Sequence, residues 1–187
     1  MQPIRPRYSD DDEIEELEKK RKEAMATRTV LEVSCWDQKN EVWGPFTFPP
    51  YPMAISLGTE VTLLTLNVWY SDKWQRPRTH ALVNLLRQHR ADFVCLQEVG
   101  DFVRQEILAD DWVRKFYCAA DASGDEILAD RDFAPFVLIN RDIALVALKD
   151  VRLVEFSKSI TQRCAIVVYL AELAVINVHL IIPPNGH

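Results

Sequence analysis

The 187-residue chain is 48% hydrophobic and 27% charged, the balance of an ordinary folded domain, and it is long enough to bury a sizeable core. Its net charge of −6 excludes a general nucleic-acid coat protein, though not an enzyme with a small local basic site. No apolar run is long enough to span a membrane and the N-terminus lacks a signal-peptide pattern, so the chain reads as intracellular, with nucleus and cytoplasm both open.

Residues 1–28 form a charged arm. Asp10 to Glu18 carries the acids and Lys19 to Lys22 the bases, an order that suits a helix dipole, yet Ile14 and Leu17 are too few to anchor a helix. A solvated helix or a disordered arm is expected; the basic tetrad is a solvated face rather than a nuclear-localisation patch. Residues 29–58 are an extended lead-in rich in proline and aromatics, with a short strand over Thr29–Ser34. Trp36, Trp43, Phe46 and Phe48 are expected to cover a strand edge; stacking on nucleic-acid bases is the alternative. Cys35, Cys95, Cys118 and Cys164 show no Cys-x-x-Cys spacing, and buried free thiols in a reducing compartment are expected.

The domain proper spans residues 59–187. Leu63, Leu64 and Leu66 make a short apolar run that ends at Asn67. Ala81, Leu82, Leu85 and Leu86 recur at helical spacing, and Phe93 to Leu96 is a second apolar run that ends at Gln97-Glu98. Two buried strands joined by a helix must run parallel, so Asn67 and Glu98 emerge on the same edge of the sheet. The loop between them holds Trp69, Tyr70, Lys73, Trp74 and Arg76. Its aromatics either fold it onto the sheet or, with the cations, meet a phosphate-bearing ligand.

Asp101–Lys115 is expected as one helix capped by Asp101, and Tyr117–Asp132 as a loop turning at Gly124-Asp125. Strands are expected at 136–140, 143–148, 151–156, 163–170 and 173–180. Hairpin turns are expected at Asn140-Arg141-Asp142, Lys149-Asp150 and Ala171-Glu172. The pattern thus shifts from βαβα to an antiparallel meander, an α/β (α+β) chain.

Four side chains carry the chemistry. A carboxylate after a buried strand, Glu98, is either at the sheet edge or unpaired in the core, where it is expensive; at the edge it suits a hard divalent cation. Asn67 is either a turn residue or an orienting amide with both donor and acceptor. His179, in Val178-His179-Leu180, reads by itself as a structural histidine of an apolar strand. Arg163 is either an exposed strand-start residue or a phosphate-binding guanidinium.

Leu66-Asn67-Val68-Trp69 followed by Leu96-Gln97-Glu98-Val99 resembles the opening of the endonuclease/exonuclease/phosphatase superfamily, the deoxyribonuclease I-like fold. The Asn-Val-Trp version and its spacing to Gln-Glu are most similar to the tyrosyl-DNA phosphodiesterase 2-like branch. The resemblance covers Thr59 to Leu180 and implies part of a four-layer β-sandwich with outer helices. It implies a hydrolase of phosphate esters dependent on Mg²⁺ or Mn²⁺, with a phosphodiester substrate such as DNA bearing a 5′-phosphotyrosyl adduct. It also implies Glu98 as metal ligand, Asn67 and His179 as catalytic residues, and Asn67 and Arg163 as substrate contacts. The family's Gly-Asp-x-Asn and Ser-Asp-His motifs do not occur in the chain, and Ile181 replaces the usual acidic residue after His-Leu. Three readings follow: a phosphodiesterase represented by its N-terminal portion, an inactive form that only binds, and an incomplete product without independent function.

Overall fold

The computed structural model describes residues 28–55, 60–129, 131–156 and 163–179. The charged arm, apart from Arg28, lies outside the described residues, as do residues 180–187.

Two sheets organise the fold. One has four antiparallel strands in the order β1 (Arg28–Val30), β8 (Leu148–Glu155), β9 (Cys164–Leu170) and β10 (Ala174–Val178). The other has six, in the order β3 (Val42–Pro45), β2 (Val33–Asp37), β6 (Tyr117–Ala120), β7 (Ala134–Asn140), β5 (Phe93–Val99) and β4 (Leu63–Asn67). Helices α1 (Gln75–His89), α2 (Asp101–Ala109) and α3 (Asp111–Phe116) cover the outer face of the larger sheet.

Strand alternation explains the layering. In β5, Phe93 and Cys95 point inward and pack with Val137, Ile139, Ile166 and Val168 between the sheets. Val94 and Leu96 point the other way, against Leu82 and Leu86 of α1 and Val103 and Ile107 of α2. The result among the described residues is three of the four expected layers: helices, six-stranded sheet, four-stranded sheet.

The β4–α1–β5 unit is parallel, as a helical crossover requires, with Asn67 paired to Gln97. β4 is not the buried strand expected, however. It lies at the sheet edge and pairs only with β5, leaving Leu63 54% exposed among the described residues.

Several other expectations are corrected. Residues 143–148 fall mainly in a helix, α4 (Arg141–Ala147), because Asn140 accepts a hydrogen bond from the Asp142 N–H and caps it. Asn140-Arg141-Asp142 is therefore a helix start, not a hairpin turn, and Lys149-Asp150 lies inside β8. The expected helix 101–115 splits at Asp110, whose carboxylate caps α3 through the Trp112 and Val113 N–H groups; Gly100, not Asp101, precedes α2. Tyr117–Ala120, expected as loop, is a fully buried strand. Residues 29–34 divide between β1 and β2, in different sheets. The Ala171-Glu172 turn does join β9 to β10, and Phe46 and Phe48 pack against the core between the sheets.

The cysteines divide. Cys95 and Cys164 are buried free thiols, and burial pushes Cys95 up to about 11 and raises Cys164. Cys35 and Cys118, expected to be free as well, are cross-strand partners of β2 and β6 with Cα atoms 4.4 Å apart and form a disulfide. No helix among the described residues is long and apolar enough to cross a membrane.

Candidate functional site

The site grows out of an irregularity in β5. Leu96 pairs with Phe136 and Val99 with Ala134, so Gln97 and Glu98 together face the single residue Pro135. Proline has no N–H to give the ladder, and the strand bulges opposite it. In a regular strand Glu98 would follow Leu96 toward the helices. Instead its φ is 57°, in the left-handed region, and its carboxylate is turned to the strand end where β4 finishes. A bulge that re-aims a side chain at strain of about 1–3 kcal/mol is a feature of functional sites.

Three of the four residues singled out in the sequence meet there. Asn67 Nδ2 donates to Glu98 Oε1 at 2.8 Å. His179, immediately after β10, brings Nε2 to 3.4 Å from Asn67 Nδ2 and 3.5 Å from Glu98 Oε1. The two contacts need different proton states. A bare Nε2 accepts from Asn67; an Nε2 that carries a hydrogen, in the neutral tautomer or the imidazolium, donates to Glu98. The fourth residue, Arg163, precedes β9, and the pairing of Ala165 with Val178 places its backbone at the sheet end that delivers His179.

The loop after β4 completes the cluster. Asn67 Oδ1 accepts from the Trp69 N–H at 2.8 Å, a side-chain turn that lets the Tyr70 N–H donate to Glu98 Oε2 at 2.9 Å. Arg78 of α1 anchors this loop by donating to the carbonyls of Trp69, Ser71 and Lys73, and its guanidinium lies 4.8 Å from the Trp69 ring centroid. The Tyr70 ring packs on Phe133, 4.9 Å between centroids, and over Gly100. The loop's aromatics thus fold it in part onto the domain, while Trp74 remains largely exposed.

The two sheets are tied behind the cluster. Gln97 Nε2 donates to Asn177 Oδ1 at 2.8 Å, and Asn177 Nδ2 donates to the Leu96 and Phe136 carbonyls. Tyr70 was legible only as one of the loop's aromatics, and Arg78, Gln97 and Asn177 were not read as site residues. A polar Gln and a polar Asn inside two apolar strands were the signal for the last two.

Burial alone would raise the Glu98 carboxyl, but the Asn67 amide, the Tyr70 N–H and the His179 ring outweigh it and hold the group below its ordinary 4.5. Glu98 therefore stays anionic at neutral pH with 20% of its side chain exposed. Each of its oxygens accepts one N–H bond and keeps a lone pair for a cation. No group of three or more His, Cys, Asp or Glu side chains forms a metal cage among the described residues. The donor set fits a hard ion held by one carboxylate, with water and phosphate oxygens completing its shell.

Residues 64–184 match the model of the Endonuclease/Exonuclease/phosphatase family. No curated protein matches the chain. Among solved structures, TDP2 from Caenorhabditis elegans is similar at 16% identity and a TM-score of 0.48, over 62% of this chain and 33% of that one. Its truncated form gives the same identity and score over 62% and 44%. A humanized D. rerio TDP2 with 14 mutations gives 13% identity and 0.48, also over 62% and 44%. The chain spans less than half the length of these structures.

Proposed function

The chain belongs to the endonuclease/exonuclease/phosphatase family, and from that membership we propose that Asn67, Glu98 and His179 form the metal- and phosphate-binding part of a phosphodiesterase centre that uses Mg²⁺, or Mn²⁺ in its place. The observation that carries this reading is the 2.8 Å bond from Asn67 to a Glu98 carboxylate re-aimed by the bulge, with His179 3.5 Å away.

Glu98 is the residue that holds the cation. When bound, the cation neutralises phosphate charge and polarises the scissile ester. Asn67 fixes the carboxylate's orientation from one side and the Tyr70 N–H from the other, so the ligand oxygens are placed before substrate arrives. His179, as imidazolium or imidazole, brings a ring nitrogen to the scissile phosphate, where charge develops. Arg163, at the same sheet end, supplies a cationic contact for the substrate phosphate. The substrate class is a phosphodiester. The resemblance of Asn67-Val68-Trp69, with its spacing to Gln97-Glu98, to the tyrosyl-DNA phosphodiesterase 2-like branch favours DNA carrying a 5′-phosphotyrosyl adduct.

A second reading, phosphate binding without turnover, is supported by the sparse cluster itself: among the described residues no third His, Cys, Asp or Glu side chain joins Glu98 and His179. One assay separates the two. The full chain is incubated with a 5′-phosphotyrosyl oligonucleotide and Mg²⁺, with EDTA and with Glu98→Ala in parallel. Release of tyrosine that EDTA and Glu98→Ala both abolish supports the enzyme. Metal-dependent retention of the oligonucleotide without release supports binding alone. Turnover equal in Glu98→Ala contradicts the site.

A further inference from the structure

The end of the six-stranded sheet opposite Glu98 carries a second polar cleft. β7 runs antiparallel to β5, so Asn140 lies beside the start of β5. The pairs Tyr117–Asn140 and Cys118–Cys35 bring the end of α3 and residue Trp36 to the same place. Glu98 lies at the far end of β5, roughly 20 Å away for a strand of this length. A cleft of about 730 Å³ opens here, lined by Trp36, Arg114, Lys115 and Arg141, with Glu41 and Asp111 among its walls.

Trp36 holds two guanidinium groups. Arg114 lies over its ring, 3.9 Å from the centroid, and donates Nε–H to the Leu108 carbonyl at 3.0 Å. Arg141 donates from Nη2 to the Trp36 carbonyl at 2.8 Å. Arg114 also meets Asp111 at 3.4 Å, but that carboxylate is 96% exposed, and a pair so solvated neutralises little. Glu41 is likewise exposed. Arg114 Nη2 and Arg141 Nε and Nη1 make no hydrogen bond among the described residues, and Lys115 is exposed beside them.

On a chain of net charge −6, two anchored guanidinium groups and a lysine in one cleft need an electrostatic reason. Fixed in advance, they lose little rotamer freedom on meeting an anion, and the planar fork with its paired N–H groups matches phosphate. We propose that this cleft is a second anion site that takes a phosphate group, whether of a small phosphorylated compound or of a nucleic-acid backbone. The proposal does not depend on the role assigned to Glu98.

The test is an NMR titration of the full chain at constant ionic strength. Two probes are used: inorganic pyrophosphate and a single-stranded oligonucleotide without terminal phosphates. The Arg114 and Arg141 Nε–H signals and the Trp36 indole N–H report on the cleft. Saturable shifts with either probe are expected. Pyrophosphate alone marks a small phosphorylated ligand, and the oligonucleotide alone marks a backbone phosphate. Arg141→Gln and the exposed Lys115→Gln should each weaken binding about tenfold, the order for one lost charge-assisted contact. Glu98→Ala should leave it unchanged. Lys115→Gln decides the matter if Arg141→Gln does not fold. Absence of a saturable shift with both probes overturns the proposal. So does wild-type affinity in the folded variants, or loss of binding in Glu98→Ala.

Discussion

Gln97 donates to Asn177 at 2.8 Å from one sheet to the other, and this bond ties the strand that carries Glu98 to the strand that leads into His179. Both amides are buried, Asn177 to 1% exposure, and Asn177 also serves the Leu96 and Phe136 carbonyls. A buried amide network is stable only when every member is paired.

Asn177→Leu should therefore do more than lose a bond. It takes a donor from the Leu96 and Phe136 carbonyls and one acceptor from Gln97 Nε2, which keeps Thr65 Oγ1 and the Cys95 carbonyl, at a cost of about 1–3 kcal/mol. Urea unfolding measures it. Because the two residues share the Gln97–Asn177 bond, the double variant with Gln97→Leu should cost less than the two single variants together; a strictly additive double variant would mean the two residues act independently.

Gly100 is the floor under Tyr70. Its φ of −85° suits any residue, so the constraint is space alone. A Cβ there would stand 3.1 Å from Tyr70 Cε2 and 3.3 Å from the Asp132 carbonyl. Gly100→Ala is expected to cost about 1–2 kcal/mol as an overpacking change and to shift the Tyr70 amide resonance, since that N–H donates to Glu98. An unshifted Tyr70 amide would show that the loop absorbs the methyl elsewhere.

The Glu98 carboxyl is held below its ordinary 4.5, and the sign of its pH effect follows. A depressed folded value means stability that is full above the unfolded value and is lost as pH falls through the folded one. The stability difference between wild type and Glu98→Gln should be constant above about pH 5 and shrink on acidification below about pH 4. A difference that grows on acidification would mean the carboxyl is raised instead.

Cys35 and Cys118 close a loop of sequence separation 83. Chain entropy puts such a link at about 4–5 kcal/mol. The unfolded, unreduced protein should show two reactive thiols, Cys95 and Cys164, and four after reduction, with a lower urea midpoint in the reduced form. Four thiols without reduction would contradict the link.

The meeting of Asn67 and Glu98 was legible because it follows from local rules: an apolar run, a helix, a second apolar run, and the parallel pairing this forces. His179 was legible only through the motif around it. The bulge that aims Glu98 was not, because its cause is Pro135, 37 residues later in the chain on the partner strand. Arg78 reads as an ordinary basic residue early in a helix, and its three carbonyl partners lie in a loop whose path no periodicity gives. The stretch 143–148 failed for a different reason. Residues Ile143 to Leu148 are apolar throughout, a run that reads as a buried strand or as a short helix, and the Asn140 cap decided it. The Cys35–Cys118 link joins residues no spacing rule connects.

The central claim is that Glu98 holds a divalent cation beside Asn67 and His179. Paramagnetic broadening by Mn²⁺ tests it most directly, in wild type and in Glu98→Ala. The account predicts broadening centred on the Tyr70 amide, the Asn67 side-chain amide and the His179 ring, displaced by Mg²⁺ and lost in Glu98→Ala. Broadening centred elsewhere, or unchanged in Glu98→Ala, would contradict it.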